Sequence, residues 1–296
     1  MQNQISPLIL TFGVSDPVGA IGIQADLATF AALGCHGLSV TTALLIGDTA
    51  RVDDLHDIEP EWVSDQARVL LEDMGVAAIK IGALGGMEHV VAIAEIVSDY
   101  PDVPLILDPF VSALPQQGLG SEDMLVALRQ LLIPQATLLL LSQVELERLA
   151  ETWRDSSAAD TLQADADYLL ALGCEFVLVT GTRDPERGAG AARGNARANT
   201  LFSTDGVLRH DSWQHLPGPF LGAGSTLSAA LTALMAVGDA EAPQAVLEAQ
   251  QFTAGALAHA QRFGMGQLVP NRFFRLHGQP GHERPGHDRP DTAAAT

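Results

Sequence analysis

LILTFGVSDPVGAIGIQADLATFAALG, residues 8–34, changes its period half-way. Residues 8–13 are an almost unbroken apolar run, the pattern of a strand covered on both faces. Residues 22–34 carry apolar side chains at helical spacing and stop at Gly34. Between them Asp16, Pro17 and Gly19 make a turn. Strand, turn and helix in that order form one step of a parallel sheet, because parallel strands need a crossover and a helix supplies it.

The step recurs. LSVTTALL (38–45) reads as strand and PEWVSDQARVLLEDM (60–74) as helix. VAAIKIGAL (76–84) is followed by GGMEHVVAIAEIVSDY (85–100), and VPLILDP (103–109) by SEDMLVALRQLL (121–132). ATLLLLS (136–142) precedes two helices, VELERLAETW (144–153) and ADTLQADADYLLALG (159–173). CEFVLVTG (174–181) is a further strand, and NTLFSTDGVLRHDSW (199–213) a hairpin turning at Asp205-Gly206. Helices are expected over 224–237 and 241–262. The pattern implies an α/β fold: a mostly parallel sheet of about eight strands, with helices on both faces. One domain is expected over residues 1–270. Residues 271–296, with PGHERPGHDRP at 280–290, have little to bury and read as a disordered tail. His282 and His287 in that tail are a weak metal pair.

Composition narrows the partners. The chain has 16 basic and 36 acidic residues, a formal charge of −20, and a single lysine, Lys80. Nucleic acid and anionic membranes are poor partners for such a surface. No apolar run approaches the ~18 residues of a membrane span, and MQNQISPLIL lacks the basic start of a secretory signal. A cytoplasmic location is expected. Cys35 and Cys174 each follow Leu-Gly at a helix end and read as small buried residues, not a disulfide.

In a parallel sheet, ligands bind beyond the carboxyl ends of the strands. Asp16, Gly47-Asp48, Gly82, Asp108, Ser142 and Gly181 all follow strands. In SDPVGAIGIQAD (15–26) the glycines let backbone amides approach a ligand. Asp26, one turn inside the helix, is placed either to reach a ligand hydroxyl or to sit in solvent near the positive helix end. Asp108-Pro109 can orient a Mg²⁺–phosphate or simply end a strand. GAGST (222–226) opens an apolar helix: the amides of Gly222, Ala223, Gly224 and Ser225 suit a transferring phosphoryl group, and Ser225 or Thr226 can also cap the helix.

Taken in order, SDPVGAIGIQAD, KIGAL, LDP, VLVTGT and GAGSTLSAA resemble the hydroxymethylpyrimidine/phosphomethylpyrimidine kinases of thiamine biosynthesis, over roughly residues 7–262. These belong to the ribokinase-like superfamily, with the pyridoxal kinases. The resemblance implies a three-layer α/β/α fold, ATP with Mg²⁺, a small pyrimidine substrate and a homodimer. It places Asp26, Gly47, Ala83 and Val111 at the substrate. Ser142, Glu145, Thr180 and Gly181 fall at the nucleotide, Asp108 and Glu145 at the metal, and Gly222–Ser225 at the transferring phosphoryl group.

The chain also departs from that family. Two small loop residues are enlarged to Ala20 and Ile21. A glutamine that bonds the pyrimidine becomes Gly47, a pocket methionine becomes Ala83, and an asparagine becomes Ser142. The active cysteine becomes Ser225, where pyridoxal and sugar kinases carry aspartate. A serine hydroxyl is a poor proton acceptor, and Gly47 with Ala83 is expected to open the substrate pocket and weaken selectivity. Two functions follow: a kinase with slow chemistry or an altered substrate, or a catalytically silent relative that binds a small molecule or a partner.

Overall fold

The structure, a computed structural model, describes residues 6–110, 121–151, 161–183, 196–214, 216, 218–238 and 240–276. In chain order its elements are β1 (Leu8–Ser15), α1 (Gly22–Ala32), β2 (His36–Gly47), β3 (Val52–Asp57), α2 (Pro60–Asp73), β4 (Ala78–Ile81), α3 (Met87–Val97), β5 (Leu105–Leu107), α4 (Glu122–Ala127), β6 (Leu138–Ser142), α5 (Gln143–Ala150), α6 (Leu162–Ala171), β7 (Phe176–Arg183), β8 (Ala196–Ser203), β9 (Gly206–Gln214), α7 (Ala223–Val237) and α8 (Ala242–Ala258).

All nine strands join one sheet in the order β3-β2-β1-β4-β5-β6-β7-β8-β9. The six from β2 to β7 run parallel, and β3, β8 and β9 add antiparallel edges. The strand beyond the expected eight is β3, VDDLHD. Its acidic, mostly exposed residues hide it from an apolar pattern and suit an open edge, where charge discourages further pairing.

Alternate residues of the central strands feed the two faces. Leu10, Phe12, Ile79, Ile81, Leu105, Leu107, Leu139 and Leu141 pack under α2 to α6. Leu138, Leu140, Leu178 and Leu201 pack under α7 and α8, and Ile9 and Ala78 meet Phe30 of α1 and Ala229 of α7. The result is the expected three-layer α/β/α arrangement. Strand β1 has β2 on one side and β4 on the other, so connections leave it in opposite directions and open a crevice at the carboxyl ends.

The boundary expected at residue 270 is moved by packing. Phe274 lies 5.5 Å from Phe252 and 5.4 Å from His259, and a side chain at Gly255 would stand 2.4 Å from it. The Asn271 amide donates to Ala256 O at 3.0 Å. Residues 271–276 are therefore docked on α8. Residues 277–296, with His282 and His287, lie outside the described residues.

Candidate active site

Two helix-entry loops meet at the carboxyl edge of the sheet. In the first, residues 16–21, Asp16 is 2% exposed and accepts from the amides of Val18 (2.9 Å), Ala20 (2.8 Å) and Ile21 (2.9 Å). The loop's donors thus close on a carboxylate of their own chain and do not serve a ligand.

The second loop turns at Gly222, whose φ is +93°, and a Cβ there would lie 1.8 Å from Ala20 O. Only glycine permits that conformation and that contact between the two loops. Thr226 gives both its amide (3.0 Å) and its hydroxyl (2.8 Å) to Gly222 O, so neither Ser225 nor Thr226 caps the helix. The amides of Ala223, Gly224 and Ser225, in the first turn, have no intrahelical partner. They line a cavity of about 370 Å³ together with Asp108, Phe110, Ser142, Glu145 and Thr180. The Ser225 side chain is nearly buried in that wall. No thiol stands there, since Cys35 and Cys174 are buried elsewhere, against Ala233 O and Leu169 O.

A second cavity of about 300 Å³ adjoins the first through Ile21, Leu221 and Gln267, and is lined by Asp16, Leu45, Asp48, Thr49 and Val52 among others. It lies beyond the carboxyl ends of β1 and β2, where a second substrate can face the first.

Buried charge lies below both cavities. Lys80 Nζ pairs with Asp26 Oδ2 at 3.0 Å, both groups almost fully buried, and Thr11 donates to the same oxygen at 2.7 Å. Asp26 Oδ1 has no partner among the described residues. Burial raises the Asp26 pKa, and Lys80 and Thr11 oppose the shift. The Asp108 pKa is pushed up to about 6 by burial; Lys80 and the Ser228 hydroxyl (2.6 Å) oppose this, and Glu145 and Asp26 reinforce it. Glu145 forms a capping box with Ser142: its carboxylate takes the Ser142 amide at 2.6 Å, and its own amide reaches the Ser142 hydroxyl at 3.4 Å. Burial raises its pKa too, opposed by those contacts.

The nucleotide-side expectations come together, with one exception. Asp108, Ser142, Glu145, Thr180 and Gly222–Ser225 line one cavity. Gly181 does not line it: its amide is taken by Asn199 Oδ1 at 3.0 Å. The substrate-side expectations do not come together in the same way. Asp26, Gly47 and Ala83 line neither cavity, and Val111 lies outside the described residues. Asp26 is turned down onto Lys80. Gly47 sits at an irregularity of the β2–β3 pairing, where a Cβ would stand 2.8 Å from Arg51 O, so the backbone has no room for glutamine. Ala83 joins one apolar cluster with Val14, Ala20, Ile21 and Leu45. The two enlarged loop residues, Ala20 and Ile21, thus pack in the same cluster as the shortened Ala83.

Sequence reading missed three participants. Lys80 stands out in the sequence as the sole lysine and within KIGAL, and its lone charge inside an apolar strand is the signal of a buried partner. Gln267 carried no signal, and Arg272 was hidden in the tail composition.

The family model for phosphomethylpyrimidine kinase matches residues 16–271. The chain belongs to the phosphomethylpyrimidine kinase family. The hydroxymethylpyrimidine/phosphomethylpyrimidine kinase of Escherichia coli K12 is 33% identical over 260 residues, covering 88% of this chain and 94% of that protein. That of Streptomyces coelicolor is 32% identical, covering 88% and 92%. Among solved structures, a phosphomethylpyrimidine kinase of Clostridium difficile 630 superposes with a TM-score of 0.67 at 27% identity, covering 85% of this chain and 100% of that one. A pyridoxal kinase of Staphylococcus aureus with bound pyridoxal superposes with a TM-score of 0.75 at 22% identity, covering 91% and 94%. At that identity the second match speaks for the fold alone. Kinases of two substrate classes share the architecture, so the fold does not choose between them. Within the phosphomethylpyrimidine kinase family, this member carries serine at 225 and an Ile21-filled loop.

Proposed function

We propose that this chain phosphorylates hydroxymethylpyrimidine or its monophosphate with ATP, a step of thiamine biosynthesis. One observation carries the reading: the free amides of Ala223, Gly224 and Ser225 line one cavity with Asp108, and that cavity adjoins a second. That is the arrangement phosphoryl transfer needs, with donors aimed at developing negative charge and an acceptor site alongside.

Mg²⁺ fits the donor set. No group of three or more metal-binding side chains occurs among the described residues, but Asp108 and Glu145 line one wall of the cavity. Mg²⁺ commonly takes one or two carboxylates and completes its shell with water and phosphate. Asp108 raises the fit further: burial and two neighbouring carboxylates make its charge costly in isolation, and a cation relieves that cost. With ATP bound, Mg²⁺ supplies positive charge against the phosphoryl group.

The chain's own residues do the rest. The first turn of α7 holds the phosphoryl oxygens, and the apolar wall of Ile21 and Leu221 between the cavities keeps water from the transfer path. Ser225 replaces a proton acceptor with a hydroxyl, so turnover rests on positioning and charge and is slow. Pyridoxal is the competing substrate that the fold permits. A homodimer, implied by the resemblance, and a cytoplasmic location complete the reading. No helix among the described residues is long and apolar enough to cross a membrane.

The test is ATP consumption with hydroxymethylpyrimidine, its monophosphate and pyridoxal, each with and without Mg²⁺. Turnover of a pyrimidine above pyridoxal is expected. Turnover of pyridoxal alone, or of none of the three by folded protein, sinks the proposal.

A further inference from the structure

The first loop has every donor committed to Asp16, which leaves its carbonyls to be satisfied from outside. Arg272 does this. It is 5% exposed, donating Nη1 to Gly19 O at 3.0 Å and Nη2 to Ala20 O at 2.6 Å. Its Nε donates to Thr226 Oγ1 at 3.2 Å, and that hydroxyl in turn donates to Gly222 O at 2.8 Å. One planar guanidinium therefore bonds the substrate-side loop and the first turn of α7 at once, which a lysine's single nitrogen does poorly. Nη2 also stands 3.0 Å from where a Cβ of Gly222 would be, directly behind the turn that presents the free amides. Arg272 lines neither cavity, so it acts through these groups.

Charge points the same way. Asp16, Asp48, Asp108 and Glu145 line the two cavities against one lining cation, the exposed Arg51; Asp26 is buried close by, and the buried cations beside these acids are Lys80 and Arg272. Burial pulls the Arg272 pKa down to about 10, opposed by Asp26 and Asp16, which leaves it charged at neutral pH. A polyphosphate entering so acidic a site meets repulsion that a fixed positive charge behind the turn reduces.

We propose that Arg272 is a positioning residue for phosphoryl transfer: it clamps the 16–21 loop to the start of α7 and holds a positive charge behind the amides of Ala223–Ser225. The choice of ligand rests on the kinase reading above; the clamp rests on geometry.

Arg272→Met and Arg272→Lys in the full chain test it, by calorimetric affinity for ATP and for adenosine and by amide hydrogen exchange without ligand. With methionine, ATP affinity is expected to fall about tenfold or more while adenosine affinity stays within about twofold; lysine, keeping the charge but not the fork, loses less. Exchange should rise in residues 16–21 and 222–226 of both variants. A parallel loss of ATP and adenosine affinity, or no loss of either, overturns the positioning role. If the methionine variant does not fold, the lysine variant decides by the same readings. Wild-type protein that binds ATP no better than adenosine refutes the kinase reading instead. In that event exchange alone judges the clamp, and unchanged exchange in both loops overturns it.

Discussion

The loop at 16–21 and the turn at 222–226 both enter a helix through glycines, yet only one leaves its amides for a ligand. In the first, an aspartate at the loop's start swings inward and takes three donors itself. In the second, no acidic residue precedes the glycines, and Thr226 folds its hydroxyl back onto Gly222 O, away from the open amides. An internal carboxylate makes a phosphate-like nest into a rigid support. Its absence leaves the amides open to the cavity, and each loop braces the other where Ala20 O meets Gly222.

The sharpest way to break this difference is to give the second turn a carboxylate. A Cβ at Gly224 has open space around it, so Gly224→Asp keeps the fold. ATP affinity should fall by about 100-fold or more, while the melting temperature holds or rises slightly because an acid suits a helix start. Unchanged ATP affinity in a titration would place the nucleotide elsewhere.

The converse change empties the first loop. Asp16→Asn weakens three charge-assisted hydrogen bonds in a buried setting and should cost about 2–4 kcal/mol in urea unfolding. A loss below 0.5 kcal/mol, on the order of an ordinary surface substitution, contradicts the supporting role of that carboxylate.

Chemistry at the open turn is sharpened by Ser225→Cys. A thiol at a positive helix end ionises far more readily than a hydroxyl, so kcat for hydroxymethylpyrimidine should rise about tenfold with the KM for ATP unchanged. An unchanged kcat shows that proton transfer does not limit turnover.

The smallest effect concerns Asp108, which faces the open turn. Its folded pKa of about 6 lies above its ordinary value of 3.8, so protonation favours the folded state. Its contribution to stability is present below about pH 4 and is lost as pH rises through about 6. In the metal-free protein, Asp108→Asn should remove that part of the slope and raise stability at pH 7 by about 1 kcal/mol, measured by urea unfolding from pH 4 to 8. A mutant less stable at pH 7 and unaltered in slope shows that Asp108 is not strained.

The strand–helix alternation was legible because central parallel strands bury both faces and so show as unbroken apolar runs. The edge strand β3 was not, since VDDLHD buries almost nothing and its place is set by pairing with β2. GAGST was readable as an open helix start because local backbone geometry leaves its first amides without an intrahelical partner. Chain order also put Asp108, Ser142, Glu145 and Thr180 at strand ends, where the sheet gathers them. The sequence could not tell that Asp26 pairs with Lys80, that Gly47 has no room for a side chain, or that Ile21 and Ala83 share one apolar cluster. Nor did it reveal that Arg272, 46 residues beyond Thr226, bonds the 16–21 loop and Thr226 at once. By itself the sequence determined the layers, the order of the elements and the open helix start, all properties of short segments. Only the tertiary structure decided which donors stay free, because that depends on which carboxylate or guanidinium the packing brings within about 3 Å.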